Sequence, residues 1–288
     1  MLKIALPNKG RLADETRDLF RDAGLESRAR SDRALTASLG GEFQALFIRA
    51  QDIPEFVADG AADVGVTGWD LVQESARPVR SVADLEFGRC RLAIAVREES
   101  GIRQASDVPA GSRIATSFPR IAARYFSERG LQVVVVPISG AAEIAPHVGI
   151  ADIIIDLVST GSTLRVNGLR EVDTVLDSSA RLIVAQDPSR LDDAQRAAAD
   201  ELAAALLSVL HARTRRYLMA NVPRDQMPRV HEVVPGLNGP TVIDILGGGT
   251  MVAVHAVIPE SGVYRTISRL KALGAQGILI TRIERLMA

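Results

Sequence analysis

The sequence predicts an α/β protein with two lobes, followed by a small domain of the ferredoxin-like βαββαβ plan. Three observations carry this reading. Strand-like and helix-like segments alternate from the first residues onward, the pattern of a sheet with helices on its faces. The alternation begins afresh near Arg91, which calls for a second sheet. Beyond a long Ala/Leu-rich helical stretch, the tail repeats the order β-α-β-β-α-β. A chain of 288 residues is long for one domain, and its 47% apolar content supports several buried cores.

In the first lobe, Leu2–Leu6 is a short apolar strand and Leu12–Ala23 an amphipathic helix stopped by Gly24. Leu46–Arg49 and Asp63–Val66 read as strands, followed by helices over Asp52–Asp59 and Trp69–Glu74. The second series holds strands over Arg91–Val96, Arg113–Thr116, Gln132–Val136 and Ala151–Val158, with a helix over Ile121–Arg129. Arg181–Gln186 is a further strand. Asp192 or Asp193 caps a helix that runs to about Arg213 and connects the body to the tail. The tail reads as strand Tyr217–Val222, helix Arg224–Val234, strands Thr241–Leu246 and Met251–Ile258, helix Glu260–Leu273 and strand Gly277–Ile283. Gly247-Gly-Gly249 falls between two strands and reads as a hairpin turn.

Composition excludes several functions. A net charge of -1 gives no basic surface for nucleic acid. Cys90 is the single cysteine, so no intrachain disulfide forms, which favours the cytoplasm. The apolar start Met1–Pro7 is too short for a signal peptide, and no window reaches the length that spans a membrane. The four histidines have no metal-ligand spacing.

The most informative stretch is Asp156-Leu-Val-Ser-Thr-Gly-Ser-Thr-Leu164, which follows the apolar run Ala151–Ile155. A carboxylate at the strand end, hydroxyls at Ser159, Thr160, Ser162 and Thr163, a pivot at Gly161 and a helix start together fit a phosphorylated sugar. A plain turn with a helix cap stays open beside that reading. A P-loop fits less well, because no lysine follows the glycine. Other chemistry-bearing residues also follow strand ends, where open α/β sheets place ligands. They are Lys9, Gly10 and Arg11 after the first strand, Arg49 ahead of Asp52-Ile53-Pro54, and Asp70 closing Val64–Asp70. Two cations beside a glycine suit a polyphosphate. Glu143 could join Asp156 around a ribose or a hydrated Mg²⁺. No covalent nucleophile stands out, so positioning and charge are the expected means of catalysis.

These residues resemble those of the ATP phosphoribosyltransferase family, in its long, histidine-regulated form. The resemblance covers essentially the whole chain. It is most specific over Glu143–Leu164, with Gly149, Asp152, Asp156, Ser159-Thr160-Gly161 and Thr163 in the family pattern, and is supported by Pro7–Gly10, Asp52–Pro54 and Gly65–Asp70. It implies that adenine N1 of ATP attacks C1 of phosphoribosyl pyrophosphate (PRPP), expelling pyrophosphate with Mg²⁺ present, as the first step of histidine biosynthesis. It implies a two-lobed, periplasmic-binding-protein-like body whose chain returns to the first lobe: residues 1–90 with 181–212 form lobe I, and 91–180 form lobe II. Residues 213–288 form a regulatory domain. The implied PRPP contacts are Glu143, Asp156, Ser159, Thr160, Gly161, Ser162 and Thr163. Lys9, Arg11, Arg49 and Asp70 face ATP and pyrophosphate, with Asp156, Lys9 and Arg49 the catalytic set. Asn221, Thr241 and Gly277 are the implied contacts of the inhibitor histidine, and dimers and hexamers the implied assemblies. A solute-binding or sensor protein shares the two-lobed plan but gives no reason for this loop. A non-catalytic regulatory module leaves the charged strand ends unused.

Overall fold

The computed structural model describes residues 1–27, 34–247 and 249–287. It has the expected α/β architecture: a two-lobed, periplasmic-binding-protein-like body and a ferredoxin-like domain, built on three sheets. Two compact units, residues 1–203 and residues from 204 onward, divide inside one long helix.

Lobe I opens with β1 (Leu2–Pro7), α1 (Arg11–Asp22), β2 (Thr36–Leu39), β3 (Phe43–Ile48), α2 (Ile53–Ala58), β4 (Val64–Gly68), α3 (Trp69–Ser75) and β5 (Val79–Asp84). β1 runs parallel to both β3 and β4, so the carboxyl ends of all three lie along one edge. Ala5, Ile53, Val57, Val72 and Ile183 are among the buried residues of a core beneath the sheet.

Lobe II comprises β6 (Cys90–Arg97), β7 (Arg113–Thr116), α4 (Pro119–Glu128), β8 (Val134–Pro137), β9 (Ile153–Val158), α5 (Ser162–Val166) and β10 (Leu169–Ser178). Its sheet has the order β10-β6-β9-β7-β8. Alternation along β6 separates two cores. Leu92, Ile94 and Val96 join Phe118 and Phe126 on one face. Ala93 and Ala95 join Ile154, Val158 and Leu164 on the other, where small side chains let α5 lie close. Fully burying one of the large apolar side chains stabilises by roughly 1.5–3 kcal/mol.

The chain then returns as β11 (Ala180–Ala185), antiparallel between β4 and β5 in the lobe I sheet. The two crossing segments are tied together: Leu85 N–H donates to the Ala180 carbonyl and Ala180 N–H to that of Phe87, both at 2.9 Å. α6 (Asp193–Arg213) follows. The second compact unit begins within α6, earlier than the expected 213. The reason lies in its second half, where the Ser208 carbonyl accepts the Leu286 N–H at 2.9 Å.

The second unit continues with β12 (Arg215–Pro223), α7 (Met227–Val233), β13 (Thr241–Asp244), β14 (Met251–Pro259), α8 (Val263–Ala272) and β15 (Gln276–Arg282). The sheet order β13-β14-β12-β15 is antiparallel throughout, the ferredoxin-like arrangement. Leu218, Ala220, Val222, Val252, Val254 and Ala256 alternate inward and pack with Val230 of α7 and Leu270 of α8. β13 and β14 pair directly, as the hairpin expectation requires. Gly248 of that turn lies outside the described residues. Among the described residues no helix is long and apolar enough to cross a membrane.

Three strands escape the sequence reading. β2 is a four-residue edge strand with two polar residues. In β5, Arg80 and Ser81 interrupt the apolar pattern. β10 carries two register shifts against β6, which break its alternation.

Candidate functional site

Parallel pairing of β1 with β3 and β4 sets the cationic side of the site. Lys9, Arg11 and Arg49 all follow carboxyl ends at one sheet edge, and all are exposed. Asn8 N–H donates to the Ile48 carbonyl at 2.8 Å, fastening the first of these turns to the end of β3. The buried Thr67 hydroxyl donates to the Ala50 carbonyl at 2.7 Å and holds the turn after Arg49.

Asp70 is placed differently from the expectation of a ligand-facing carboxylate. It is 5% exposed, and its Oδ1 accepts the Ser178 hydroxyl at 2.5 Å. Its own N–H donates back to the Ser178 oxygen at 3.0 Å. Nearby, Asp84 accepts from the Ser179 hydroxyl at 2.8 Å and pairs with Arg181 at 3.1 Å. The Arg181 guanidinium lies 5.6 Å from the Trp69 ring centroid. Asp70 therefore belongs to a polar clasp where the chain crosses between lobes.

The anionic side lies on lobe II. β9 runs two residues past Asp156, so this carboxylate stands within the strand and not at its end. Its Oδ1 accepts the Leu157 N–H at 2.7 Å. Burial raises the Asp156 carboxyl above its ordinary range. The Leu157 bond opposes that rise, and the neighbouring negative charge of Glu143 adds to it. Glu143 stands in a 3-10 turn, Ala142–Ile144, preceded by Ala141 in a left-handed conformation.

The hydroxyl loop leaves β9 at Ser159. Gly161 has φ +73°, a left-handed conformation that disfavours a side chain, and a Cβ there would lie 3.3 Å from Arg165 Nη1. The Thr160 and Ser162 hydroxyls are 3.0 Å apart. α5 is only five residues long, so the loop's own N–H and O–H groups matter more than a helix dipole. Both carbonyls before Gly161 accept from arginine: Ser159 from Arg91 Nη1 at 3.2 Å and Thr160 from Arg165 Nη1 at 3.4 Å.

The two sides meet. Arg11 donates from Nη1 to the Ser159 hydroxyl at 2.9 Å and from Nη2 to the Gly88 carbonyl at 3.1 Å. A lobe I cation thus spans to the lobe II loop from beside the interlobe crossing. This arrangement can hold a ligand with a phosphate at one end, hydroxyls near Asp156, and further anionic groups toward lobe I. A hollow of about 840 Å³ at the opposite edge of the lobe II sheet, lined by Arg97, Glu99, Asp107 and Asp152, includes none of the expected ligand contacts. Among the described residues no group of three or more His, Cys, Asp or Glu could hold a metal ion.

In the second unit, Asn221 of β12 pairs in register with Gln276, and its Nδ2 lies 3.5 Å from where a Cβ on Gly277 would stand. Thr241 stands opposite His255, one alternation step from the row that joins Asn221, Ala253 and Ile243. The sequence reading missed the roles of Arg91 and Glu171. Two opposite charges 80 positions apart carry no local signal until the sheet is closed.

Comparison with known proteins gives the family. A family model described as ATP phosphoribosyltransferase matches residues 49–208, and one described as the HisG C-terminal domain matches residues 212–285. An ATP phosphoribosyltransferase of Gemmatimonas aurantiaca is 62% identical, with 100% of each chain covered. One from Natronomonas pharaonis is 47% identical over 99% of this chain and 100% of its own. A solved structure of the ATP phosphoribosyl transferase (HisG:HisZ) complex from Thermotoga maritima aligns with a TM-score of 0.64. That chain is 26% identical, and the alignment covers 73% of this chain and 99% of that one.

Proposed function

This chain belongs to the ATP phosphoribosyltransferase family, in its long form, and we propose that it joins adenine N1 of ATP to C1 of PRPP. It is a phosphoribosyl transferase of histidine biosynthesis. The supporting observation is the bridge from Arg11 to Ser159, which brings the cationic strand ends of lobe I up to the hydroxyl loop of lobe II.

In this reading the loop Ser159–Thr163 takes the 5′-phosphate, and Asp156 with Glu143 accepts hydrogen bonds from the ribose hydroxyls. Lys9, Arg11 and Arg49 face the pyrophosphate and the ATP phosphates. The N1 lone pair forms the new bond to C1, while the C1–O bond breaks and pyrophosphate leaves with its electron pair. The adenine amino group loses one proton overall. C1 gains oxocarbenium character beside the carboxylates, and the leaving oxygens gain charge beside the three cations. Asp70 acts through the lobe crossing, holding Ser178, and not as a ligand contact.

The residues fit Mg²⁺. Burial raises the Asp156 carboxyl and the neighbouring charge of Glu143 adds to that rise, and Mg²⁺ takes one or two protein carboxylates together with substrate oxygens and water. When bound, it offsets charge on the departing pyrophosphate. Asn221, Thr241 and Gly277 are proposed contacts of histidine as feedback inhibitor, in a cytoplasmic enzyme that works as dimers and hexamers.

The test mixes the purified chain with ATP, PRPP and Mg²⁺ and follows the ultraviolet absorbance of N1-ribosylated adenine, with and without histidine. Turnover that histidine suppresses is expected. Turnover indifferent to histidine removes the regulatory reading, and no turnover removes the reaction.

A further inference from the structure

We propose that Arg91, clamped by Glu171, is a positioning residue of the phosphoribosyl loop: it holds the Ser159 carbonyl away from the loop's inner face and leaves that face to donors. The proposal rests on the reading of Ser159–Thr163 as the 5′-phosphate site.

The geometry uses all three guanidinium nitrogens. Arg91 donates from Nε to Glu171 Oε1 at 2.6 Å and from Nη2 to Oε2 at 2.5 Å, a two-pronged pairing. The remaining Nη1 reaches the Ser159 carbonyl at 3.2 Å. Arg91 and Glu171 lie on the β6 and β10 strands, on the face where β6 carries only the methyl groups of Ala93 and Ala95 between them. Nothing bulky on β6 blocks the side chain's path.

A planar trans peptide points its C=O and N–H in opposite directions. Drawing the Ser159 carbonyl toward Arg91 therefore turns the Thr160 N–H the other way. The Arg165 contact with the Thr160 carbonyl does the same for the Gly161 N–H. An anion is repelled by carbonyl oxygens and attracted by N–H groups, so this pair of arginines sets which side of the loop can accept phosphate. Lysine could not replace Arg91, because one ammonium cannot grip a carboxylate at two points and still aim a third donor. Glu171 is the partner that fixes the fork. Both side chains are about one-third exposed, at 32% and 28%, so the pair is shielded without being sealed.

The test measures KM for PRPP, KM for ATP and kcat on the full chain and on Arg91→Met, Arg91→Lys and Glu171→Gln, with melting temperatures. Loss of a charged hydrogen bond that orders the loop should raise the PRPP KM about tenfold in Arg91→Met. Arg91→Lys and Glu171→Gln should raise it by lesser amounts. ATP KM and kcat should stay within about twofold, the pattern of lost ground-state binding. A purely structural role would move both KM values together and lower the melting temperature. If PRPP KM is unchanged in folded Arg91→Met, or in Glu171→Gln should the former not fold, the proposal is overturned. Gly161→Val, run in parallel, separates the two levels. Because turnover is expected to be lost there, PRPP affinity is read by calorimetry. Wild-type affinity in folded Gly161→Val refutes the loop reading itself, whereas lost affinity there beside unchanged PRPP KM in the Arg91 variants refutes only the positioning role.

Discussion

Glu74 should be a pivot of the two-lobed body, and its removal should show first in stability. The residue closes α3 of lobe I, yet its carboxylate accepts the N–H groups of Arg120 and Ile121, each at 3.0 Å, at the start of α4 in lobe II. No side chain of α4's own N-cap residue, Phe118, makes a cap hydrogen bond. The same seam holds Arg120 Nη1 on the Ser75 carbonyl at 2.5 Å and Arg124 Nη2 on Gln73 Oε1 at 3.0 Å. Glu74→Ala leaves the Ile121 N–H without its acceptor beside a buried side chain. Lost capping costs about 1–2 kcal/mol, and lost charge at a helix N-terminus about 0.3–1 kcal/mol more. A total of about 2 kcal/mol corresponds to a melting temperature lower by about 4–8 °C for a unit of this size. Glu74→Gln keeps one acceptor and should lose about half as much. Thermal unfolding of the full chain, followed by circular dichroism, is the assay. A shift under one degree in Glu74→Ala would refute the argument, and so would equal shifts in the two variants.

Three further outcomes follow from the site and its supports. Asp156→Asn should cut turnover by about 100-fold or more, as removing an electrostatic stabiliser of the transition state does, while the protein melts no lower. The sign is fixed by linkage: a carboxyl raised by folding contributes stability that is full below its unfolded value and lost as pH rises through its raised folded value. The melting advantage of Asp156→Asn should therefore grow from acidic to neutral pH, and a constant difference would contradict it. Gly161→Val forces a β-branched side chain into φ +73°. It should cost about 1–2 kcal/mol locally and abolish turnover in a folded chain; near-normal activity would remove the loop from the site. Tyr125 donates to Asp173 Oδ2 at 2.6 Å, and burial pushes its phenol up to about 12. Ultraviolet titration should show one tyrosine still protonated well above the ordinary phenol range. Its stabilising contribution holds below pH 10 and fades as pH rises toward about 12. Tyr125→Phe should cost about 1 kcal/mol at neutral pH, and a variant as stable as wild type would contradict it.

What the sequence makes legible is whatever has a local cause. Apolar runs mark β1, β6 and β9, and amphipathic spacing marks α1 and α8. Gly161 and its hydroxyl neighbours announce a turn because their chemistry needs no distant partner. The return of β11 into the lobe I sheet was readable only through family resemblance, since its register with β4 joins residues more than 100 positions apart. Asp70 shows the limit most clearly. Position after a strand end marked it as a ligand contact, yet Ser178, which encloses its carboxylate, comes from a strand with no clean alternation. Arg91 was hidden for the same reason, as its partner Glu171 lies on that irregular strand.

On the proposed reading, the charges of the two lobes fit one chemistry. Lobe II offers carboxylates at Asp156 and Glu143, and burial already disfavours the charged form of Asp156. Lobe I offers Lys9, Arg11 and Arg49 at one sheet edge. In the proposed transfer, positive charge develops at C1 and negative charge on the pyrophosphate as the bond between them lengthens. A site negative on the sugar side and positive on the leaving side is stabilised more by that separated state than by the intact substrate, which is the condition for catalysis rather than mere binding. The desolvated Asp156 then has a purpose that a structural carboxylate would lack. Its cost in the free protein is relieved as positive charge arrives beside it, so the relief is greatest in the transition state. Replacing Asp156 by Asn should accordingly lower kcat more than it raises the PRPP KM. The reverse split would place Asp156 in substrate binding alone.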